Sequence, residues 1–290
     1  MPSSVSARTH RGRRALLTLT TDIGWAYAAQ MKGAILSLAP SVQLVDITHQ
    51  IRPHGIGEAA FLLSHIIPAF PPGTIHVAVV DPGVGTDRQA VAIECSEGSL
   101  LLGPDNGVFA PVGARLGVRR VVRLEPSRVR PGGHKSATFE GRDLFAPAAA
   151  RLATGAQVTE LGELTVLRGE RAPVVASRGP GAGRVVHVDV FGNLITDLPP
   201  DTLPAPGSSV RLSWGGPARS SGTRIVPRVR TYGELPPGAL GVLVSSFGLV
   251  EVARAMGSAA RTLSLGEGSW VRVSAVPSRR SGRGPHRQSL

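Results

Sequence analysis

Three short segments of this chain hold carboxylates where a strand would hand them to a ligand. They are Thr20-Thr21-Asp22-Ile23-Gly24, Asp81-Pro82-Gly83-Val84-Gly85-Thr86-Asp87-Arg88 and Gly103-Pro104-Asp105-Asn106-Gly107. A carboxylate followed by glycine can clamp a ribose diol, because two acceptor oxygens match two vicinal hydroxyls. Plainer readings stand beside this one: Asp22 as the cap of a following helix, and Asp81-Pro82-Gly83 as a tight turn. None of the three has the spacing of a P-loop or of GxGxxG, which argues against phosphate cradling.

These segments need elements to position them, and hydrophobic periodicity supplies an alternating series. Strands are expected over Leu16–Thr21, Val42–Ile47, Thr74–Val80, Ala90–Cys95, Leu100–Leu102 and Arg120–Leu124. Helices are expected over Trp25–Leu38, Gly57–Ile67 and Asp143–Thr154. Strands separated by helices of this length predict an α/β domain over 15–168 with a mixed or parallel sheet covered on both faces. Each carboxylate segment falls beyond the end of a strand, where open α/β sheets bind ligands. After a Gly/Arg/Pro-rich linker at 169–183, short apolar alternations at Arg184–Val190, Val210–Trp214, Leu240–Ser245 and Trp270–Val273 predict a smaller β domain over 184–276.

Composition narrows the functions open to the chain. With 290 residues and 42% hydrophobic content, it is a folded protein. The formal charge of +12 invites a nucleic-acid reading. Eight of the arginines, however, lie in two acid-free tails: Arg8, Arg11, Arg13, Arg14, Arg279, Arg280, Arg283 and Arg287. Removing them leaves about +4, and tails of this composition read as disordered. Aromatic residues make up only 4% of the chain, too few for stacking platforms, so nucleic acid is not an expected partner. No apolar run of about 18 residues and no convincing signal sequence is present, and the single Cys95 forms no internal disulfide; a soluble cytoplasmic protein is expected. No HExxH or other metal-ligand spacing occurs. His49, His65, His76 and His187 read as structural and Cys95 as core, while Ser245 and Ser246 lie in no nucleophile elbow.

Taken in order, TTDIG, VDITHQI, VVDPGVGTDR, GPDNG, TFEGRDLFAPAAA, DVFGNLITD and SSFGLVEVARAMGSAA resemble the S-adenosylmethionine (SAM) hydroxide adenosyltransferases, or SAM hydrolases, relatives of fluorinase and chlorinase. The resemblance spans roughly Leu16 to Val276. It implies a C-terminal β-barrel-like domain, a homotrimer with active sites between subunits, no cofactor, and displacement at ribose C5′ of SAM by water. By the same resemblance, Asp22 holds the ribose hydroxyls, and Trp25, Tyr27 and His54 wall the pocket, with helix-face core as the alternative for the two aromatics. Asn106 of GPDNG and Phe139 of TFEGRD complete the N-terminal binding set. Asp189 and Asn193, then Ser246, Phe247 and Arg254, match the C-terminal ligand-binding segments, Asn193 having a left-handed turn residue as its alternative.

One departure matters most. The family's water-handling group is an Asp, an Arg and a His; Asp81 and Arg88 match, but the histidine of TFHGRD is Glu140 here. Two carboxylates around one arginine either share a proton and leave a competent base, or form an ion pair without a catalytic role. In the second case the chain is a SAM- or adenosine-binding protein with little turnover. His134 substitutes for the missing histidine only if its loop folds back. Carboxylates at 81 and 140 would repel a halide, which disfavours halogenase chemistry.

Overall fold

The computed structural model describes residues 14–133, 136, 138–168, 179–215 and 221–276. The chain divides into two compact units, Met1–Val174 and Val175–Leu290. The terminal arginine segments apart from Arg14, His134 and most of the expected linker lie outside the described residues.

The first unit begins with β1 (Leu16–Thr21), α1 (Gly24–Leu38), β2 (Gln43–Thr48), α2 (Ile56–Ile66) and β3 (Ile75–Val79). It continues with β4 (Ala90–Cys95), β5 (Leu100–Pro104), α3 (Ala110–Leu116), β6 (Val118–Leu124), α4 (Pro126–Val129), α5 (Ala146–Ala153) and β7 (Gly162–Leu164). The sheet order is β2-β1-β3-β5-β4-β6-β7. The first four in that order pair in parallel, and the remaining pairings are antiparallel, so the sheet is mixed. β1 lies between β2 and β3 and is buried on both faces: Leu17 and Leu19 join Met31, Ile35 and Phe145 in one core, while Thr18 and Thr20 point the other way. The β1-to-β2 and β2-to-β3 connections run in opposite directions across the sheet. Right-handed crossovers therefore place α1 and α2 on opposite faces and open a crevice between the carboxyl ends of β1 and β3. On one face α1 packs on α5, whose Ala148, Ala149 and Ala150 allow close approach; α2 packs on α3. At Gly103 a Cβ would lie 2.2 Å from the Ala78 carbonyl oxygen, so only glycine lets β5 close against β3 at this end.

The helix expected from Asp143 starts earlier and differently. Gly141–Phe145 forms a π turn in which Ala146 N–H donates to the Gly141 carbonyl, and α5 follows. Pro147, near the start of α5, has no N–H to give the Asp143 carbonyl, which favours the wider turn before it.

The second unit comprises β8 (Ala182–Val188), β9 (Leu194–Thr196), β10 (Ser209–Gly215), β11 (Ser221–Pro227), β12 (Leu240–Val244), β13 (Val250–Arg254), α6 (Ala259–Leu263) and β14 (Trp270–Ala275). Its antiparallel sheet has the order β11-β10-β14-β8-β9-β13-β12. A bridge from Arg228, just past β11, to Val242 of β12 nearly closes it into a barrel around Val210, Leu212, Val252 and Val271. β9, β11 and β13 escape the sequence reading because β9 has three residues, β11 is largely exposed, and β13 carries an acid on its buried face.

On the second face of the first sheet, His76 on β3 sits beside its register partner Thr18, Nδ1 lying 2.8 Å from Thr18 Oγ1. Burial pushes its pKa down to about 4 from 6.5, so it is neutral at pH 7. The unfolded chain binds a proton at this site between pH 6.5 and 4 that the native protein refuses, so stability is full above pH 6.5 and falls as the pH drops. About 3 kcal/mol is expected to be lost across that interval. Urea unfolding at pH 7 and pH 4 should show a smaller acid loss in His76→Asn than in wild type; equal losses would remove His76 as the cause.

Candidate active site

The parallel register of β1 on β3, with Thr21 opposite Val79, delivers Asp22 and Asp81 to the same edge of the sheet. β5 ends there too, and Asn106 just beyond it donates from Nδ2 to the Val80 carbonyl (2.9 Å), fixing the backbone in front of Asp81. β4 runs antiparallel to β5, with Ala90 opposite Pro104, so its amino end returns to this edge and brings Arg88. The π turn brings Glu140.

Asp22 does not cap α1. The cap position is Ile23, without a side-chain hydrogen bond. Instead Asp22 Oδ2 accepts from the backbone N–H of His54 (2.9 Å), whose φ of +66° is left-handed. The carboxylate thus pins the loop before α2, and the His54 ring is carried on an exposed, strained residue.

Asp81 closes its own glycine turn by accepting from Gly83 N–H (3.1 Å). Arg88 Nε lies 3.0 and 2.9 Å from the two Asp81 oxygens, and Nη2 donates to both Asp81 Oδ2 and Glu140 Oε2. The Asp81 side chain is 5% exposed and those of Arg88 and Glu140 11% each. Burial alone would lower the Arg88 pKa. The hydrogen bonds and charge of Asp81, then those of Glu140, outweigh it and raise it. The guanidinium also lies over the Phe145 ring, 5.8 Å from its centroid. Both carboxylates therefore meet one nitrogen of a permanently charged group.

Asp22, Asp81, Phe139 and Glu140 line one cleft of about 90 Å³, with Ile23 and Val84 among its apolar walls. That volume suits the reacting part of a ligand, since whole-ligand pockets run to several hundred Å³. Phe139 is fixed between Tyr27 (edge-on, 5.5 Å) and the Arg142 guanidinium (5.2 Å). Trp25 and Tyr27 are 56% and 55% exposed, so they are not helix-face core.

Sequence reasoning missed a relay at this edge that runs from buried Thr21 and His49 to half-buried Asp46 and Lys32. Thr21 Oγ1 lies 2.9 Å from His49 Nδ1, His49 Nε2 lies 3.0 Å from Asp46 Oδ1, and Lys32 Nζ donates to Asp46 Oδ2. Burial pulls the Asp46 pKa up, but Lys32 and His49 bring it below its ordinary value. The i, i+3 spacing of Asp46 and His49 at a strand end was the available signal.

In the second unit, Asp189 spends its oxygens on its own turn, accepting from Phe191 N–H, Asn193 N–H and Asn193 Nδ2. Asn193 is buried, and the left-handed position belongs to Gly192 (φ +82°), which answers the alternative reading of Asn193. A Cβ at Gly192 would lie 2.1 Å from Ser258 Oγ. Buried Glu251 accepts from Tyr232 OH (2.8 Å); burial, then the Asp189 charge, raises its pKa against the effect of that bond. Ser246 is exposed and Phe247 half-buried on the hairpin joining β12 and β13. Arg254 holds the Gly238 carbonyl (3.0 Å) and Thr262 Oγ1 (3.1 Å). Cys95 is buried core, its thiol pushed up to about 12 by burial and then by Glu97 and Glu94.

The profile described as the SAM hydroxide adenosyltransferase N-terminal domain matches residues 17–162, and that of the C-terminal domain matches 183–272. A protein of Thermus thermophilus named (R)-S-adenosyl-L-methionine hydrolase is 41% identical over 254 residues, covering 85% of this chain and 94% of the relative. A fluorinase of Nocardia brasiliensis is 27% identical, covering 91% and 98%. A solved structure of an uncharacterized conserved protein from Thermotoga maritima superposes with a TM-score of 0.80 at 31% identity, covering 89% of this chain and all of that one.

Arg88 is the charge that makes two adjacent buried carboxylates tolerable. Arg88→Met is expected to cost about 3 kcal/mol, because it strands two buried carboxylates without their partner. Urea unfolding checks this, with the Arg88→Met/Glu140→Gln double variant recovering part of the loss; no recovery would assign the loss to packing.

Proposed function

The chain belongs to the SAM hydroxide adenosyltransferase family, and we infer that it hydrolyses S-adenosyl-L-methionine to adenosine and L-methionine by in-line attack of water on ribose C5′. The observation that carries this is the convergence of Asp22, Asp81 and Arg88-held Glu140 on one small cleft at the β1/β3 crevice. The relatives' names specify the (R) sulfonium epimer, which we take as the substrate.

The chemistry asks for placement more than for covalent help. Sulfur leaves as a neutral thioether, so no general acid is required. The carboxylates attract the sulfonium cation, but that charge disperses as the C5′–S bond breaks, so this attraction favours binding over turnover. Rate must come from aligning water opposite the leaving sulfur and stripping it of solvent beside Ile23, Val79 and Val84. Asp22 takes the ribose diol with the acceptor capacity left beyond His54 N–H. Asp81 and Glu140, oriented by Arg88, hold the water.

Glutamate suffices where the family has histidine. Attack of neutral water on a saturated carbon gives a protonated alcohol far more acidic than a carboxylic acid, so an ordinary carboxylate can take the proton. Arg88 supplies the positive charge between the carboxylates, and the reading needs no metal or other cofactor. The same reading gives Asn193, Ser246 and Phe247 ligand-binding roles and carries a cytoplasmic homotrimer in which Trp25 and Tyr27, exposed on α1, meet ligand or a neighbouring subunit.

Purified protein incubated with (R)-SAM is expected to form adenosine, followed by chromatography, with Glu140→Gln lowering kcat about 100-fold at little change in KM and Asp22→Asn acting mainly on KM. Binding without adenosine in the wild type, together with turnover by Glu140→His, would instead make the native chain a SAM-binding protein. 5′-Chloroadenosine formed in chloride would overturn the exclusion of halide.

A further inference from the structure

Behind the substrate cleft lies a second cavity of about 500 Å³, lined in part by Arg88, Gln89, Arg123, Leu144, Glu163 and Thr165. Among the described residues, Glu140 is the only one that lines both spaces. Asp81 faces the cleft alone and Arg88 the rear cavity alone, so the ion cluster is a partition with Glu140 set through it.

Hydrolysis of a sulfonium raises a problem of disposal. As water oxygen bonds to C5′, the C5′–S electron pair goes to sulfur, and SAM and water become adenosine, methionine and one proton. That proton forms while the products still occupy the front of the site. We propose that the rear cavity is a water-filled exit through which Glu140 passes this proton to solvent before the products leave. The inference rests on the hydrolase reading.

Two features support it besides the shared wall. Gln89 Nε2 is buried with no hydrogen-bond partner among the described residues, while its Oε1 accepts from Thr165 Oγ1 (3.0 Å). An orphaned buried donor beside a polar cavity is the setting in which proteins hold ordered water. At about 30 Å³ per molecule the cavity has room for a chain of waters. Among the charges around it, Arg123 Nη2 is paired with Glu163 Oε2 (3.0 Å) and Arg88 with Asp81 and Glu140.

The test is a single turnover with enzyme in excess. Adenosine formed is read by rapid quench, protons by a pH indicator, and adenosine released to solution, in a parallel run, by coupling to adenosine deaminase. In the wild type, protons should appear with adenosine formation, ahead of its release. In Thr165→Phe, which fills the cavity, and in Gln89→Met, which removes its donor, proton appearance should fall behind adenosine formation by about fivefold or more, toward the rate of product release. A wild-type proton that comes no earlier than released adenosine overturns the proposal. So does an early proton that neither variant delays; if Thr165→Phe does not fold, Gln89→Met decides. No adenosine from the wild type overturns the hydrolase reading and this inference with it.

Discussion

The Arg88 guanidinium is the contact on which the site depends. It touches a carboxylate from the turn after β3 and one from the start of the helical segment, and it stands itself at the entrance to β4. None of the three charges is tolerable alone at that depth, because a buried ion without a partner costs several kcal/mol. Each segment therefore reaches its place only when the others do. The contact closes the carboxyl edge of the sheet in much the way a core residue closes a helix pair, but with the functional groups as the packing material.

What lies beneath that contact is sheet topology. A strand order that reverses between β1 and β3 leaves their carboxyl ends uncovered by either helix layer. Parallel register then sets Asp22 beside Asp81, and the missing side chain at Gly103 lets β5 bring Asn106 under the Val80 carbonyl. The second unit works by other means. There the loop that holds Asp189 and Asn193 is stiffened by its own hydrogen bonds and by a glycine seated against Ser258.

Most of the first unit was legible in the sequence, since buried strands such as Leu16–Thr21 and amphipathic helices such as α2 carry their period openly. The convergence of Asp22, Asp81, Arg88 and Glu140 was legible only through the ordered motifs, because spacing along a chain says nothing of which strand ends become neighbours. Three things were hidden for physical reasons. Asp22 looks like a cap in sequence, yet its oxygen serves a backbone amide 32 residues away. Trp25 and Tyr27 fit a helix face, and only the fold shows that this face is open. The relay from Thr21 to Lys32 joins residues whose individual readings are bland.

The π turn before α5 also constrains how this family can change. α5 is locked into the core by Ala148, Ala149 and Ala150, while Glu140 sits on the far side of the widened turn. Losing one residue from Gly141–Phe145 would swing position 140 by about 100° around the helix axis relative to that anchor, away from Arg88. The side chain at 140 is thus free to differ in kind, whereas the number of residues behind it is not. Divergence at this corner of the candidate site is confined to exchanging side chains at a fixed address, and insertions must be absorbed elsewhere.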